Sequence, residues 1–304
     1  MSHMPKHEQP FRLLMPSALP AQTQTPQWVL TSPHSGHLYP KEFISASRLS
    51  AHDLRRSEDA HIDRLLEHTP QHGVAVMAAI YPRAYLDLNR AAYELDPTMF
   101  DGPLPDYVET DGPRVKSGLG TIARIVADRM PIYRAPLTFD DADSRIQEIH
   151  IPFHAKLLDL LEQAIATHGN AFLLDIHSMP SKALYTWAAR KNNKSDLPDI
   201  ILGDRFGSSC DSSLIFAIER YLSQCGYKVA RNAPYAGGYI TQTYGLASKD
   251  VSNVQALQIE ISRSLYMDEE TYLCHEGYTK LQDDLTGLMA HLTASITKLP
   301  RAAE

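Results

Sequence analysis

The sequence predicts an α/β fold, with a mostly parallel or mixed central sheet flanked by helices. Three observations carry that reading. Apolar runs of strand length recur from residue 28 to residue 261, segments of helical pattern lie between them, and no internal repeat, low-complexity block or linker breaks the alternation. Alternating strands and helices favour parallel pairing, because each helix returns the chain across a face of the sheet. The chain has 304 residues, 43% hydrophobic and 21% charged, which is enough to bury a large core. A single domain over 1–304 is expected, with an irregular N-terminal segment over about 1–25.

Taken in order, the expected strands are WVL (28–30), VAVMAAI (74–80), AYLDL (84–88), AFLLDI (171–176), DIIL (199–202), YKVA (227–230) and VQALQIEI (254–261). Several are apolar throughout, as strands covered on both faces must be. The first helix is expected from about Ser50 to His68 and opens on Ser50 and Asp53, a capping-box pair. A second runs from about Asp141 to His168 and stops at Gly169, and a third runs from about Ser212 to Cys225 and stops at Gly226. The last is expected over roughly Asp268 to Leu299. Residues 91–117, rich in Pro, Gly and Asp, read as a long loop of the kind that usually carries function.

Composition excludes several classes. A net charge of −7 and a pI of about 6.0 argue against a nucleic-acid binder. Cys210, Cys225 and Cys274 are the only cysteines and show no C-x-x-C spacing, so neither a disulfide framework nor a cysteine-rich zinc site is expected. No apolar stretch approaches the roughly 18 residues that span a bilayer. With no signal-peptide pattern at the N-terminus, the expectation is a cytoplasmic protein without a membrane or nucleic-acid partner.

Two strands end alike. WVLTSPHSG (28–36) delivers His34 and LLDIHSMPS (173–181) delivers His177, each followed by Ser. Ligands of open α/β sheets bind at the carboxyl ends of strands, so both histidines can reach one cleft. A lone histidine there is commonly a surface or hydrogen-bonded residue, but two at matching exits suit a metal. Neutral imidazole is the commonest zinc-binding group, and a catalytic zinc takes about three protein ligands plus water. The third is expected from DLRRSEDAHIDRLLE (53–67), which offers Glu58, Asp59, His61 and Asp63.

The motifs SPHSG (32–36), SEDAHIDRLL (57–66), YPRAYLDLNR (81–90), SGLGTIAR (117–124), LLDIHSMPS (173–181), APYAGGYITQTYG (233–245) and LQIEISRSLYM (257–267) occur in this order. Together they resemble the N-formylglutamate amidohydrolase (N-formylglutamate deformylase) family, related to the zinc carboxypeptidase and aspartoacylase group. The resemblance implies a zinc-carboxypeptidase-like fold, one Zn²⁺ or other divalent ion per chain, and His34, Asp59 and His177 as its ligands. It selects Asp59 over its neighbours. It implies Glu260, between Ile259 and Ile261, as the base, though an acid in a strand can equally face water. The implied substrate is an N-acyl, N-formyl above all, amino acid with a free carboxylate, and the implied setting is amino-acid degradation, histidine catabolism in particular.

The chemistry needs these types together. A zinc ion polarises an amide carbonyl and acidifies water, and a carboxylate moves the proton. The carboxylate of the released amino acid needs a cation, and Arg90 of DLNR, with Asn89 beside it, matches the family's arginine. Arg83, Arg124 and Arg231 are secondary candidates, although an arginine is as readily a surface ion pair. Gly237 and Gly238 suit close backbone approach to a ligand or a plain turn. Gln242 stands where a basic residue is expected from the family, which bears on specificity and not on the metal. GLGTIA (118–123) imitates a dinucleotide loop without the strand such a loop must follow, and no G-x-S-x-G elbow occurs. The alternatives are a zinc hydrolase of another N-acyl amino acid or small peptide, or a non-catalytic binding relative.

Overall fold

A computed structural model describes residues 9–17, 25–190, 197–249 and 251–295. Its strands are β1 (Phe11–Leu14), β2 (Trp28–Ser32), β3 (Val74–Ala79), β4 (Ile125–Val126), β5 (Met130–Pro131), β6 (Ala171–Met179), β7 (Ile200–Gly203), β8 (Val229–Arg231) and β9 (Val254–Ser262). β4 and β5 pair with each other, and the other seven form one sheet in the order β1-β3-β2-β6-β9-β7-β8. β2, β6 and β9 run parallel, while β7 runs antiparallel to β9 and parallel to β8. The sheet is therefore mixed, and it is flanked by helices, as expected.

The chain divides into two compact units, each assembled from three stretches, which is why no linker is visible in the sequence. The first comprises Met1–Leu13, Ser32–Ala60 and Met77–Asp159, and the second Leu14–Thr31, His61–Val76 and Leu160–Glu304. In the first, the buried Arg145 guanidinium lies 4.2 Å from the Tyr85 ring centroid and donates to the Tyr133 hydroxyl, beside Phe43. Aromatic faces stabilise a buried cation that lacks a carboxylate. In the second, Trp28 of β2 stacks on Phe172 of β6 at 4.3 Å.

Register sets what the central strands present. Thr31 pairs with Asp175, Asp175 with Gln258, and His177 with Glu260. Paired residues share a face and alternate residues return to it. Thr31, Asp175, His177, Gln258 and Glu260 thus form one buried polar patch, while Ile176, Ile259 and Ile261 point to the opposite, apolar side.

Several elements differ from expectation. Phe11–Leu14, inside the segment expected to be irregular, forms β1, with buried Phe11 edge-on to Phe153. The helix expected over 50–68 begins as read, with Ser50 Oγ accepting from the Asp53 amide at 3.1 Å, and then breaks into Ala51–Leu54, a 3₁₀ turn Arg55–Ser57 and Ile62–Leu65. It breaks because Glu58 is extended, the Asp59 amide turns to the His34 carbonyl at 2.9 Å, and His61 is left-handed at φ 67°. Asp59 therefore lies on a helix break rather than on a helix. AYLDL (84–88) forms turns instead of a strand, since the Tyr85 and Leu86 amides donate to Pro82 and the Asp87 amide to Thr121. The helix ending at Gly169 runs through Phe139–Arg145, a π turn Ile146–His150 and Ile151–His168. Ser212–Gln224 ends before Gly226 as expected. The last helix is Gly277–Ser295, because the Asp268 carboxylate accepts from the Glu270 and Thr271 amides and turns the chain back into a bridge between Met267 and Cys274. Residues 296–299 of the expected helix lie outside the described ones.

Candidate functional site

In the first unit, His34 sits in the turn that follows β2. Gly36 permits this exit, since a Cβ there would meet the Tyr81 carbonyl oxygen at 2.1 Å. His34 is 3% exposed, its Nε2 lies 2.7 Å from Asp87 Oδ1, and its Nδ1 lies 3.5 Å from Asp59 Oδ2. An ionised carboxylate only accepts, so Nε2 carries the hydrogen and Nδ1 the lone pair. Asp87 also accepts from the Asn89 amide and from Arg83 Nη2, each within 2.9 Å, and Arg90 Nη2 lies 3.8 Å away. Burial raises the affinity of Asp87 for a proton. Arg83, His34 and Arg90 together outweigh that effect and hold its carboxyl well below the usual range.

The Asp87–Arg90 segment has no ladder to hold it, and side chains and loop carbonyls take that role. Arg90 Nε donates to Leu119 O at 2.9 Å and Nη1 to Asn89 O at 2.6 Å. The Asp87 amide donates to Thr121 O. His150 and His154 Nε2 donate to the carbonyls of Arg90 and Leu88, at 2.8 and 2.9 Å. The glycine-containing SGLGTIAR motif is thus a brace for DLNR. Gly120 belongs to it for contact reasons, since a Cβ there would meet Glu94 O at 2.2 Å.

In the second unit, His177 is part of β6 itself, two residues before its end. Its Nε2 donates to Asp175 Oδ2 at 2.9 Å, and Asp175 Oδ1 accepts from Thr31 Oγ1 at 2.7 Å. Glu260, 7% exposed, is the cross-strand partner of His177 and accepts from Gln258 Nε2 at 2.8 Å. Arg263, buried just past β9, donates from Nε to Ser178 Oγ at 3.1 Å. Gly237 and Gly238 precede the helix Tyr239–Tyr244, which packs on β9 and β6. Gly237 has φ +130°, a region that favours glycine, and Gln242 is exposed on that helix.

Among the described residues one group of histidine and acidic side chains could hold a metal ion: His34, Asp59 and His177, all buried, with ligand atoms within 4.8 Å of one another. The donor set fits a divalent ion of the zinc type. Two donors each about 2 Å from a shared ion need a separation close to that of His34 Nδ1 and Asp59 Oδ2. Both histidines give their Nε2 hydrogens to buried carboxylates, the second tier of contacts that metal-ligating histidines usually have. Of the other residues singled out in the sequence, Arg83 is committed to Asp87, Arg124 to Asp96 at 2.7 Å, and Arg231 to Glu219. Sequence reasoning missed Asp87, although it lies in the same DLNR motif, four residues after Arg83. It also missed Arg263, whose only signal is an arginine directly after an apolar strand.

The mixed sheet and this buried group define an α/β protein with a candidate metal centre. A family model described as N-formylglutamate amidohydrolase matches residues 26–267. The N-formylglutamate deformylase of Pseudomonas aeruginosa is 29% identical over 247 residues, 80% of this chain and 82% of that protein. The N-formylglutamate deformylase of Pseudomonas putida is 28% identical over 214 residues, 69% of this chain and 71% of that one. The crystal structure of N-formylglutamate amidohydrolase from Ralstonia eutropha JMP134 superposes with a TM-score of 0.84 at 36% identity, covering 95% of this chain and 99% of that one. The chain belongs to the N-formylglutamate amidohydrolase family.

Proposed function

We propose that this protein hydrolyses the amide of an N-formyl amino acid, N-formyl-L-glutamate first among them, with Glu260 as base and His34, Asp59 and His177 holding a divalent ion, zinc by preference. The observation that carries the reading is the buried His–Asp–His group together with a carboxylate paired in register with one of its histidines. The matches to N-formylglutamate deformylases support the substrate. A bound zinc supplies Lewis-acid polarisation of the carbonyl and a lowered pKa for water.

The chain's own residues supply the rest. Asp87 and Asp175 fix the tautomers of His34 and His177 and keep the Nδ1 lone pairs for the ion. Glu260, with one oxygen oriented by Gln258, takes the proton from the attacking water and returns it to the departing amine, leaving formate and a free amino acid. Arg90 offers Nη2 to the amino acid's carboxylate, its other two nitrogens being fixed on carbonyls. Burial lowers the pKa of Arg90, with Asp87 opposing, which marks a cation kept out of bulk water.

The test is formate release from N-formyl-L-glutamate by the zinc-loaded protein, beside N-acetyl-L-glutamate and a set of dipeptides. Fastest turnover of the formyl substrate is expected. Hydrolysis of the acetyl or peptide substrates alone would move the protein to the other N-acyl or peptide specificity. No hydrolysis of any of them would sink the catalytic reading.

A further inference from the structure

A dicarboxylic amino acid presents two anions, and the reading above assigns a cation to one. Arg83, Arg124 and Arg231 are each paired with an acid. Arg205 differs. It is half-buried, and no described residue forms a hydrogen bond or ion pair with its guanidinium.

The position of Arg205 is built. Arg205, Phe206 and Gly207 have φ of 52°, 58° and 83°, three left-handed residues in succession, two of them not glycine. L-residues avoid this region unless their surroundings impose it. Here Asn232 imposes it: its Oδ1 accepts from the Asp204 and Phe206 amides and its Nδ2 donates to Asp204 Oδ1, while the Arg205 amide donates to Ala236 O at 2.7 Å. The arginine stem lies against Gly237. A Cβ at Gly237 would come within 2.7 Å of Arg205 Cγ and 2.6 Å of Thr241 Oγ1. Gly237 leads into the helix packed on β9 and β6, the strands of Glu260 and His177. Two residues before Arg205, Gly203 pairs in register with Gln258, whose amide holds Glu260. At its other end the loop is held by the Ala256 amide, which donates to Ser209 O at 2.8 Å, so both ends are tied to the strand that carries the proposed base.

We infer that Arg205 reads the side-chain carboxylate of the substrate, and so sets the preference for an N-acyl dicarboxylic amino acid over its neutral isostere. The inference rests on the amide-hydrolase reading above. A guanidinium fork in a rigid loop matches a carboxylate in two hydrogen bonds and gains little from a carboxamide. It also accounts for Gly237, since any side chain there would displace the arginine stem.

The experiment compares N-formyl-L-glutamate with N-formyl-L-glutamine for the wild type, Arg205→Gln and Arg205→Lys, with thermal melts to confirm folding. The ratio of the two kcat/KM values should fall by at least about tenfold in Arg205→Gln, chiefly through KM, and lie between the two in Arg205→Lys, which keeps the charge without the fork. An unchanged ratio in a folded Arg205→Gln overturns the inference. Calorimetric titration with L-glutamate and L-glutamine provides a second arm that needs no turnover. If the wild type hydrolyses neither formyl substrate, the deformylase reading fails and this arm alone decides. Glutamate affinity weakened about tenfold in Arg205→Gln supports the assignment, and equal affinity overturns it.

Discussion

The two units present their candidate ligands by different means. In the second, His177 belongs to a nine-residue buried strand, so the ladder to β9 sets its direction and places Glu260 beside it. In the first, His34 and Asp59 sit on a turn and a helix break, and the aim of His34 comes from Asp87, which also receives hydrogen bonds from Asn89 and Arg83. A strand fixes a side chain through backbone bonds that survive most substitutions. A loop fixes it through side chains, and there one substitution spreads to every partner of the lost group.

The largest effects concern the proposed metal ligands. His34→Ala and His177→Ala should each abolish stoichiometric zinc binding, measured by elemental analysis of dialysed protein. Full occupancy in the double variant would end the metal assignment. Next comes the strand side alone: Glu260→Gln should keep zinc and the melting temperature while kcat falls by about 10²–10⁴-fold. Turnover near wild type would place the base elsewhere.

A smaller pair of variants compares the two sides directly. Asp175→Asn and Asp87→Asn each remove a carboxylate behind a histidine, and each should weaken zinc binding by about 10–100-fold. Only Asp87→Asn should also raise KM, because the Asp87 carboxylate faces Arg83 and Arg90 as well as His34. If both variants leave KM alone, the loop network is less coupled than its geometry implies.

The same contrast explains what was legible in the sequence. Six of the seven expected strands are present, because apolar runs such as AFLLDI and VQALQIEI can satisfy their backbones only in a covered sheet. That pattern puts His177 at a strand end, whereas Glu260 is singled out by the resemblance to the family. AYLDL has the same composition but spends its amides on Pro82 and Thr121, partners that local periodicity does not encode. The break at Glu58–His61 was hidden likewise, since it depends on the Asp59 amide reaching the His34 carbonyl 25 residues earlier in the chain. Arg205 carried no signal at all: its left-handed backbone is imposed by Asn232, 27 positions later.

The smallest expected effect concerns what braces the loop side. His154 donates from Nε2 to the Leu88 carbonyl, and its ring lies tilted with its centroid 4.3 Å from that of His150, whose Nε2 holds the Arg90 carbonyl. Burial, with His150 adding to it, pushes the pKa of His154 down from 6.5 to about 3. The unfolded chain takes up a proton below about 6.5 and the folded protein does not. Stability from this group is therefore complete above that pH and is lost as the pH falls towards 3, by up to about 1.4 kcal/mol per pH unit. His154→Gln keeps an N–H for Leu88 and cannot titrate. Its chemical-denaturation midpoint should decline less steeply than the wild type's between pH 6.5 and 5, while at pH 7.5 the two should differ only by the repacking of one side chain. Parallel decline in both proteins would mean that His154 is charged in the folded state, and that the Leu88 carbonyl is held by an imidazolium rather than by the neutral ring.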